Sequence, residues 1–258
     1  MFHLRLLAVQ GLSALPFLFA SLTSKDRMNH HLFAKTAIAA ATLSLAFSAS
    51  AASLVENFDV APPTGWTIVN NSTPVGTTNW FQGNPTVFTA QAGAANSYMG
   101  ANFNAVGGAN TISNWIVLPT LSFDNGDVVS FWTRTVDANA FPDRLELRFS
   151  NVGGTNVGTS PTSVGTFTNL LLSVNPSLAA GGYPEDWTQF STTISGLSGS
   201  TNGALAFRYF VEDGGPFGDN SNFIGIDTFS ITAVPEPGTW LLMGLGLGAL
   251  ALRRLKSV

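Results

Sequence analysis

The stretch ALAFRYFVED, residues 204–213, alternates apolar and other side chains along most of its length. Successive side chains of a strand point to opposite faces, so an extended chain here carries Arg208 on one face. The opposite face carries Leu205, Phe207, Tyr209 and Val211. The stretch RLELRFS, residues 144–150, alternates in the same way. This period of two predicts half-buried β-strands.

Short runs of the same kind recur between residues 54 and 233, separated by Gly, Asn, Pro and Ser. No stretch in this window has the apolar stripe of a helix. The further predicted strands are residues 67–69, 115–118, 128–135, 187–194 and 222–232. Ten or so antiparallel strands joined by turns predict an all-β fold, a jelly-roll-type β-sandwich over residues 53–233.

The charge of this domain limits what it can do. Residues 53–234 contain thirteen Asp and Glu but four Arg, a net charge of −9, and they contain no Lys, Cys or His. Nucleic-acid binding is excluded because it needs clustered basic residues. Serine or cysteine nucleophiles paired with His, and His/Cys zinc sites, are excluded as well. The domain is therefore predicted not to be an enzyme.

Two ends of a different composition flank this domain. Residues 28–52 contain Lys35, an apolar run over 36–47 and the small-residue sequence Ala49-Ser50-Ala51, which predict a signal peptide cut by signal peptidase. Residues 1–27 add a second apolar run. We interpret them as a start-site overcall, that is, as residues that are not translated because translation begins at Met28. The predicted protein is therefore exported.

The carboxyl end contains a third apolar segment. Residues 239–252 are fourteen uncharged residues, about 21 Å long as a helix, whereas the hydrocarbon core of a bilayer is about 30 Å thick. A single hydrophobic transmembrane helix of this length spans only marginally, with its basic tip at the far interface. The segment predicts a transient tether in the inner membrane.

The order of features in residues 234–258 resembles a known sorting signal. Pro235-Glu236-Pro237 comes first, a Gly-rich apolar run follows, and Arg253-Arg254 ends the array. This array is similar to the PEP-CTERM signal of Gram-negative bacteria. The resemblance implies recognition by an exosortase, removal of the helix, and delivery to the cell envelope surface or the extracellular matrix.

A second resemblance extends over most of residues 54–233. It is carried by Glu56-Asn57-Phe58-Asp59, Ser113-Asn114-Trp115-Ile116-Val117-Leu118-Pro119 and Ile224-Gly225-Ile226-Asp227, in that order. These motifs resemble the choice-of-anchor J domain, which is related to the cleaved-adhesin domains of bacterial surface proteins. The resemblance implies a jelly-roll sandwich, extracellular display and an adhesive or structural role, with no catalytic residues.

Oxygen-bearing side chains gather around glycines in residues 212–227, and such oxygens on a flexible loop suit Ca²⁺. The predicted ligands of a structural calcium ion are Glu56, Asp213, Asp219, Asn220 and Asp227. The alternative is that these residues form ordinary turns.

Trp80 and Phe217 are predicted to stack on sugar, although aromatic residues of a sandwich more often fill its core. The leading hypothesis is a non-enzymatic surface or matrix protein linked to exopolysaccharide or biofilm. The alternatives are a carbohydrate-binding module for a specific glycan, an ice-binding protein, and a glycoside hydrolase using Asp143 with Glu146 or Glu185 with Asp186. The hydrolase is disfavoured because each pair would face opposite sides of a strand.

Overall fold

The computed structural model describes residues 53–234 and 244–247. The predicted signal peptide, the Pro-Glu-Pro motif, the Arg253-Arg254 tip and most of the hydrophobic run lie outside the described residues. Within the two described ranges, no helix has the length and apolar character needed to cross a membrane.

Twelve β-strands and one 3₁₀ turn form the domain over residues 53–234. The strands are β1 Leu54–Glu56, β2 Thr67–Asn70, β3 Phe81–Gln82, β4 Met99–Asn102, β5 Asn110–Val117, β6 Leu121–Phe123, β7 Val128–Thr135, β8 Leu145–Ser150, β9 Asn169–Val174, β10 Thr188–Thr193, β11 Thr201–Gly214 and β12 Phe223–Thr232. The 3₁₀ turn is Phe103–Ala105.

The strands form two antiparallel sheets of six strands each. The first sheet has the order β10-β7-β12-β4-β3, with β1 paired to β12. The second has the order β2-β5-β11-β8-β9, with β6 paired to β11. Neighbours in each sheet are mostly far apart in sequence, so the sandwich closes through long-range pairs. The predicted all-β jelly-roll-type sandwich is confirmed.

Strands with alternating apolar residues were predicted correctly, whereas a strand made of small residues was not. β7 occupies the predicted range, whereas β4, with the sequence MGAN, was missed. A Cβ on Gly100 of β4 would lie 2.8 Å from the ring of Phe81 and 3.1 Å from that of Phe223. The absence of a side chain at this position lets both rings pack on the strand, so tertiary contact overrides the weak β-propensity of Gly and Ala.

The space between the sheets holds the main apolar core. Leu145, Leu147 and Phe149 of β8 are buried in it, as are Leu205, Phe207, Tyr209 and Val211 of β11. Phe207 makes edge-on contacts with Phe131 at 4.9 Å and with Phe229 at 5.6 Å, both from the opposite sheet. The predicted core face of β8 and β11 is confirmed.

The other face of the second sheet is also covered, which the alternation did not predict. Residues 151–168 lie over it and enclose a smaller core of Trp115, Val117, Val157, Phe167, Ala204 and Ala206. Arg208, which the pattern placed on the face away from the main core, is therefore 1% exposed. Its pKa is lowered to about 10 by loss of hydration, which Glu146 opposes, so it remains charged at neutral pH.

Arg208 joins this covering segment to the sheet. Its Nη1 donates to Glu146 Oε2 at 3.2 Å, its Nε donates to Ser113 Oγ at 3.2 Å, and its Nη2 donates to the carbonyl of Pro161. The guanidinium also lies 3.5 Å from the ring centroid of Phe210. One side chain thus connects β11, β8, β5 and the covering segment.

Arg208→Ala is expected to lower the free energy of unfolding by about 3 kcal/mol, because it removes one partner of a buried ion pair and leaves Glu146 short of a donor. Arg148→Ala is the matched control, since Arg148 also pairs with Glu146 but its side chain is more exposed than that of Arg208. Its loss should cost about 1 kcal/mol. Urea denaturation of the two purified variants measures both values, and equal costs would contradict this description of Arg208.

Candidate functional site

A groove lies at the end of the first sheet where β4 ends and β12 begins. It encloses about 420 Å³. Its lining residues are Thr78, Phe81, Asn84, Val87, Asn102, Phe103, Asn104, Val136, Asn222 and Phe223, and we call it the amide groove. A recess of about 150 Å³ adjoins it through Phe103 and Asn222 and extends to Phe141 and Pro216. None of the described residues lining either cavity has an ionisable side chain.

The polar side of the amide groove consists of side-chain amides held in fixed orientations. Asn102 Oδ1 accepts from the Asn104 N–H at 3.0 Å and from the Thr78 hydroxyl at 2.7 Å. Asn84 Oδ1 accepts from the N–H and the hydroxyl of Thr86, at 3.1 and 2.8 Å. Each amide oxygen is thereby occupied. The amide NH₂ groups of Asn84 and Asn102 have no acceptor among residues 53–234, and they are donors for a ligand.

Asn104 has the greatest capacity for new hydrogen bonds. Neither its amide oxygen nor its amide nitrogen has a hydrogen-bond partner in the part of the chain that the structure describes. Its backbone carbonyl accepts from the N–H groups of Thr77 and Thr78, at 2.8 and 3.1 Å, which fixes the main chain at this point. The side chain therefore offers both a donor and an acceptor from a rigid position.

The apolar side of the same region is aromatic. Phe81 and Phe223 pack against each other with ring centroids 5.7 Å apart, and Phe103 lies between the two cavities. Phe141 is 47% exposed at the recess, and Phe217 is 84% exposed on the adjoining loop. A sugar ring could stack on such faces while its hydroxyls bind the amides.

The two predicted aromatic residues have different locations. Trp80 is buried, and its indole N–H donates to the Asn114 carbonyl at 3.1 Å, so the prediction of Trp80 as a sugar-stacking residue is wrong. Because its one hydrogen-bond donor is used within the core, this indole contributes to core packing and not to a sugar site. Phe217 is accessible beside the recess, and its role in binding stays a prediction.

Asp143 anchors the wall behind this region. Its Oδ1 accepts from the Tyr209 hydroxyl at 2.5 Å and the Asn222 N–H at 2.8 Å. Its Oδ2 accepts from the Thr135 hydroxyl at 2.7 Å and the Asn139 amide at 3.0 Å. These donors come from β11, β7 and two loops, so one carboxylate joins both sheets to the segment that lines the amide groove.

The carboxylate of Asp143 is buried without a cationic partner among the described residues. Burial raises its pKa above the ordinary value, while hydrogen bonds from Tyr209, Asn222, Thr135 and Asn139 act in the opposite direction. The same burial raises the pKa of Tyr209 well above 10. The phenol therefore remains a donor across the neutral range.

The carboxylate pairs considered for hydrolysis are not arranged for catalysis. Asp143 is enclosed, and Glu146 lies on the other side of β8 in contact with Arg148 and Arg208. Burial acts to raise the pKa of Glu146, but hydrogen bonds and charge from the two arginines hold it below the ordinary value. Glu185 binds the N–H groups of Ala138 and Asn139, both at 3.0 Å. No member of these pairs lines the amide groove.

The predicted calcium ligands are not brought together. Within residues 53–234, no group of three or more Asp, Glu, His or Cys could hold a metal ion. Glu56 lies opposite Phe229 near the end of β12, whereas Asp213, Asp219 and Asn220 precede the start of that strand. Both oxygens of Asp227 accept backbone N–H groups, from residues 91, 92 and 228. The calcium ion stays a prediction without a grouped ligand set.

Comparison with known proteins identifies the sorting signal and the fold. Residues 233–255 match the family model of the PEP-CTERM protein-sorting motif, which contains Pro235, Glu236, Pro237, Arg253 and Arg254. The motif indicates export and cell-surface sorting. No curated protein matches the chain in sequence.

Several solved structures resemble the sandwich. The K1 cleaved adhesin domain of Lys-gingipain from Porphyromonas gingivalis W83 is 22% identical, with a TM-score of 0.51, over 71% of this chain and 99% of that one. The K3 domain of the same protein is 22% identical, with a TM-score of 0.48, over 70% and 98%. A xylan-binding domain from Paenibacillus barcinonensis is 15% identical, with a TM-score of 0.40, over 73% and 99%. The likeness to the K1 domain shows a shared fold and agrees with the adhesin-like resemblance.

Sequence reasoning missed the amide groove because its residues are spread over the chain. They come from β3, β4, the 3₁₀ turn, the start of β12 and the loops at residues 78, 84–87, 136 and 222. The signal present in the sequence was the recurrence of Asn in ANFN, residues 101–104. That repetition gains meaning only when pairing with β12 places it beside Asn222 and Phe223.

Asp143→Asn should change how stability depends on pH. A carboxyl whose pKa is raised by folding destabilises the folded state as pH rises above the ordinary value of 3.8, because it must lose its proton in a buried place. The wild type is therefore expected to lose stability relative to Asp143→Asn as pH rises through the raised pKa, and melting temperatures between about pH 3 and 8 measure this difference. Asp186→Asn, which removes an exposed acid, is the control. A difference that stays constant with pH would contradict the assignment.

Proposed function

We propose that this chain is an exported, exosortase-sorted surface protein whose β-sandwich binds extracellular polysaccharide without catalysis. Residues 28–52 direct export, and the apolar segment of residues 239–252 is a transient tether that an exosortase removes. The mature domain then acts as an adhesive element of an exopolysaccharide or biofilm layer at the cell surface.

The amide groove is the observation that carries the proposal. Asn84 and Asn102 present donors whose positions are fixed by their own hydrogen bonds, Asn104 adds an amide on a main chain held by Thr77 and Thr78, and the neighbouring phenylalanines supply apolar faces. Sugars need this combination because each ring has polar edges and a less polar face. The lining lacks carboxylates, which favours binding over glycoside hydrolysis.

The charge of the domain narrows the class of polysaccharide. Exposed acids lie at this end of the sandwich: Asp213 and Asp219 have no salt bridge within residues 53–234, whereas Asp137 and Glu212 pair with Arg134 and Arg144. Their charge repels a polyanion at moderate ionic strength. The expected ligand is thus a neutral or amino-sugar-containing chain.

Retention on the polysaccharide of the producing organism tests this function. The double variant Asn84→Ala, Asn104→Ala should be retained about thirtyfold more weakly than the wild type, because two hydrogen bonds of about 1 kcal/mol each are lost. Asn151→Ala, an exposed amide at the opposite end, is the matched control and should be retained normally. Affinity electrophoresis of the mature protein measures the effect.

The retention of the wild type and of each variant is measured once with calcium and once with a chelator. Retention that needs calcium would support a calcium ion in binding, although Glu56 lies too far from Asp213, Asp219 and Asn220 to share one ion with them. Equal retention of the wild type and the double variant would contradict the role of the amide groove. No retention of the wild type would contradict polysaccharide binding.

A further inference from the structure

The sorting motif follows the folded domain without a linker. β12 ends at Thr232, and the motif match begins at residue 233. The N–H of Val234 donates to Asp127 Oδ1 at 3.2 Å, and Oδ2 of the same carboxylate accepts from the Asp124 N–H at 2.9 Å. Asp127 is fully buried. The chain is therefore anchored to the sandwich one residue before Pro235.

This anchor limits how far the domain can move from the membrane before cleavage. Four residues, 235–238, separate Val234 from the apolar run that begins at Thr239. Even a fully extended chain spans at most about 18 Å over this interval. The part of the domain around Val234 must lie within that distance of the bilayer while the tether is intact.

The surface around Val234 has a distinct composition. We call it the exit end, and it comprises residues 118–127, 151–154, 194–203 and 231–234, which strand pairing places together. Its only charged residues are Asp124 and Asp127, and both are buried. The exposed side chains are serines, threonines and asparagines, together with Val152 and Val234.

The exposed acids lie at the opposite end. Asp137, Glu212, Asp213 and Asp219 all follow or precede strands at the end where β12 begins. β12 has ten residues, so the two ends are about 30 Å apart. That separation is nearly four Debye lengths of about 8 Å at physiological ionic strength, so the charge of the acids is screened from an anionic surface.

We propose that the exit end is a membrane-docking surface, which lies against an anionic lipid surface while the sorting enzyme acts. Its lack of exposed charge lets a domain with a net charge of −9 approach such lipids within the reach of the tether. The amide groove then points away from the membrane. This inference rests on the proposed tether and not on polysaccharide binding.

Introducing charge at the exit end tests the proposal in the producing bacterium with the full chain. Ser195→Glu with Ser198→Glu should lower the ratio of processed to unprocessed protein by up to about fivefold for each added charge held against the lipid. Ser177→Glu with Ala180→Glu adds the same charge at the opposite end and should be processed normally. Immunoblotting of cell fractions measures the ratio.

Two further arms identify the cause of any loss. Ser195→Lys with Ser198→Lys should be processed at least as well as the wild type, because anionic lipid attracts the added cations. Inserting ten Gly and Ser residues between Val234 and Pro235 should restore processing of the glutamate variant, since the longer tether moves the domain away from the bilayer.

Different results would contradict the docking proposal and the proposed sorting. Normal processing of the glutamate pair would overturn the proposal, as would equal inhibition by glutamate and lysine, which would indicate a protein contact instead. Failure of the linker to restore processing would also overturn it. A wild type that is never processed would instead contradict the proposed sorting.

Discussion

The buried carboxylate of Asp143 is the constraint on which the functional end of the sandwich depends. It has no cationic partner among the described residues, so its charge is stabilised by four neutral donors from β7, β11 and the loops at residues 139 and 222. A buried charge is tolerated only when such donors are all in place. The two sheets and the wall of the amide groove are consequently fixed relative to one another.

A second buried aspartate organises the other end. Asp127 binds the turn at residue 124 and the last described residue of the domain, Val234, while its backbone pairs with Ile194. At each end of the described sandwich a buried aspartate, Asp143 or Asp127, orders segments that are distant in sequence. The end with the exposed acids contains the amide groove, whose uncharged amides are available to a ligand. The exit end continues into the sorting signal.

Sequence reasoning succeeded where a local pattern determined the structure. Alternation gave β7, β8, β11 and β12, because side-chain period and burial coincide along these strands. It could not give β4, where Gly100 leaves room for the rings of Phe81 and Phe223 packed on it. It also could not show that residues 151–168 bury Arg208, or that Trp80 belongs to the core, because both depend on contacts distant in sequence.

Nuclear magnetic resonance of the side-chain amides shows directly whether the amide groove binds sugar. The mature protein, labelled with ¹⁵N, would be titrated with oligosaccharides cut from the polysaccharide of its own surface layer. If the amide groove binds sugar, the NH₂ signals of Asn84, Asn102 and Asn104 shift, and those of Asn125 and Asn151 at the exit end do not change. Shifts confined to the exit end, or none at saturating oligosaccharide, would contradict it.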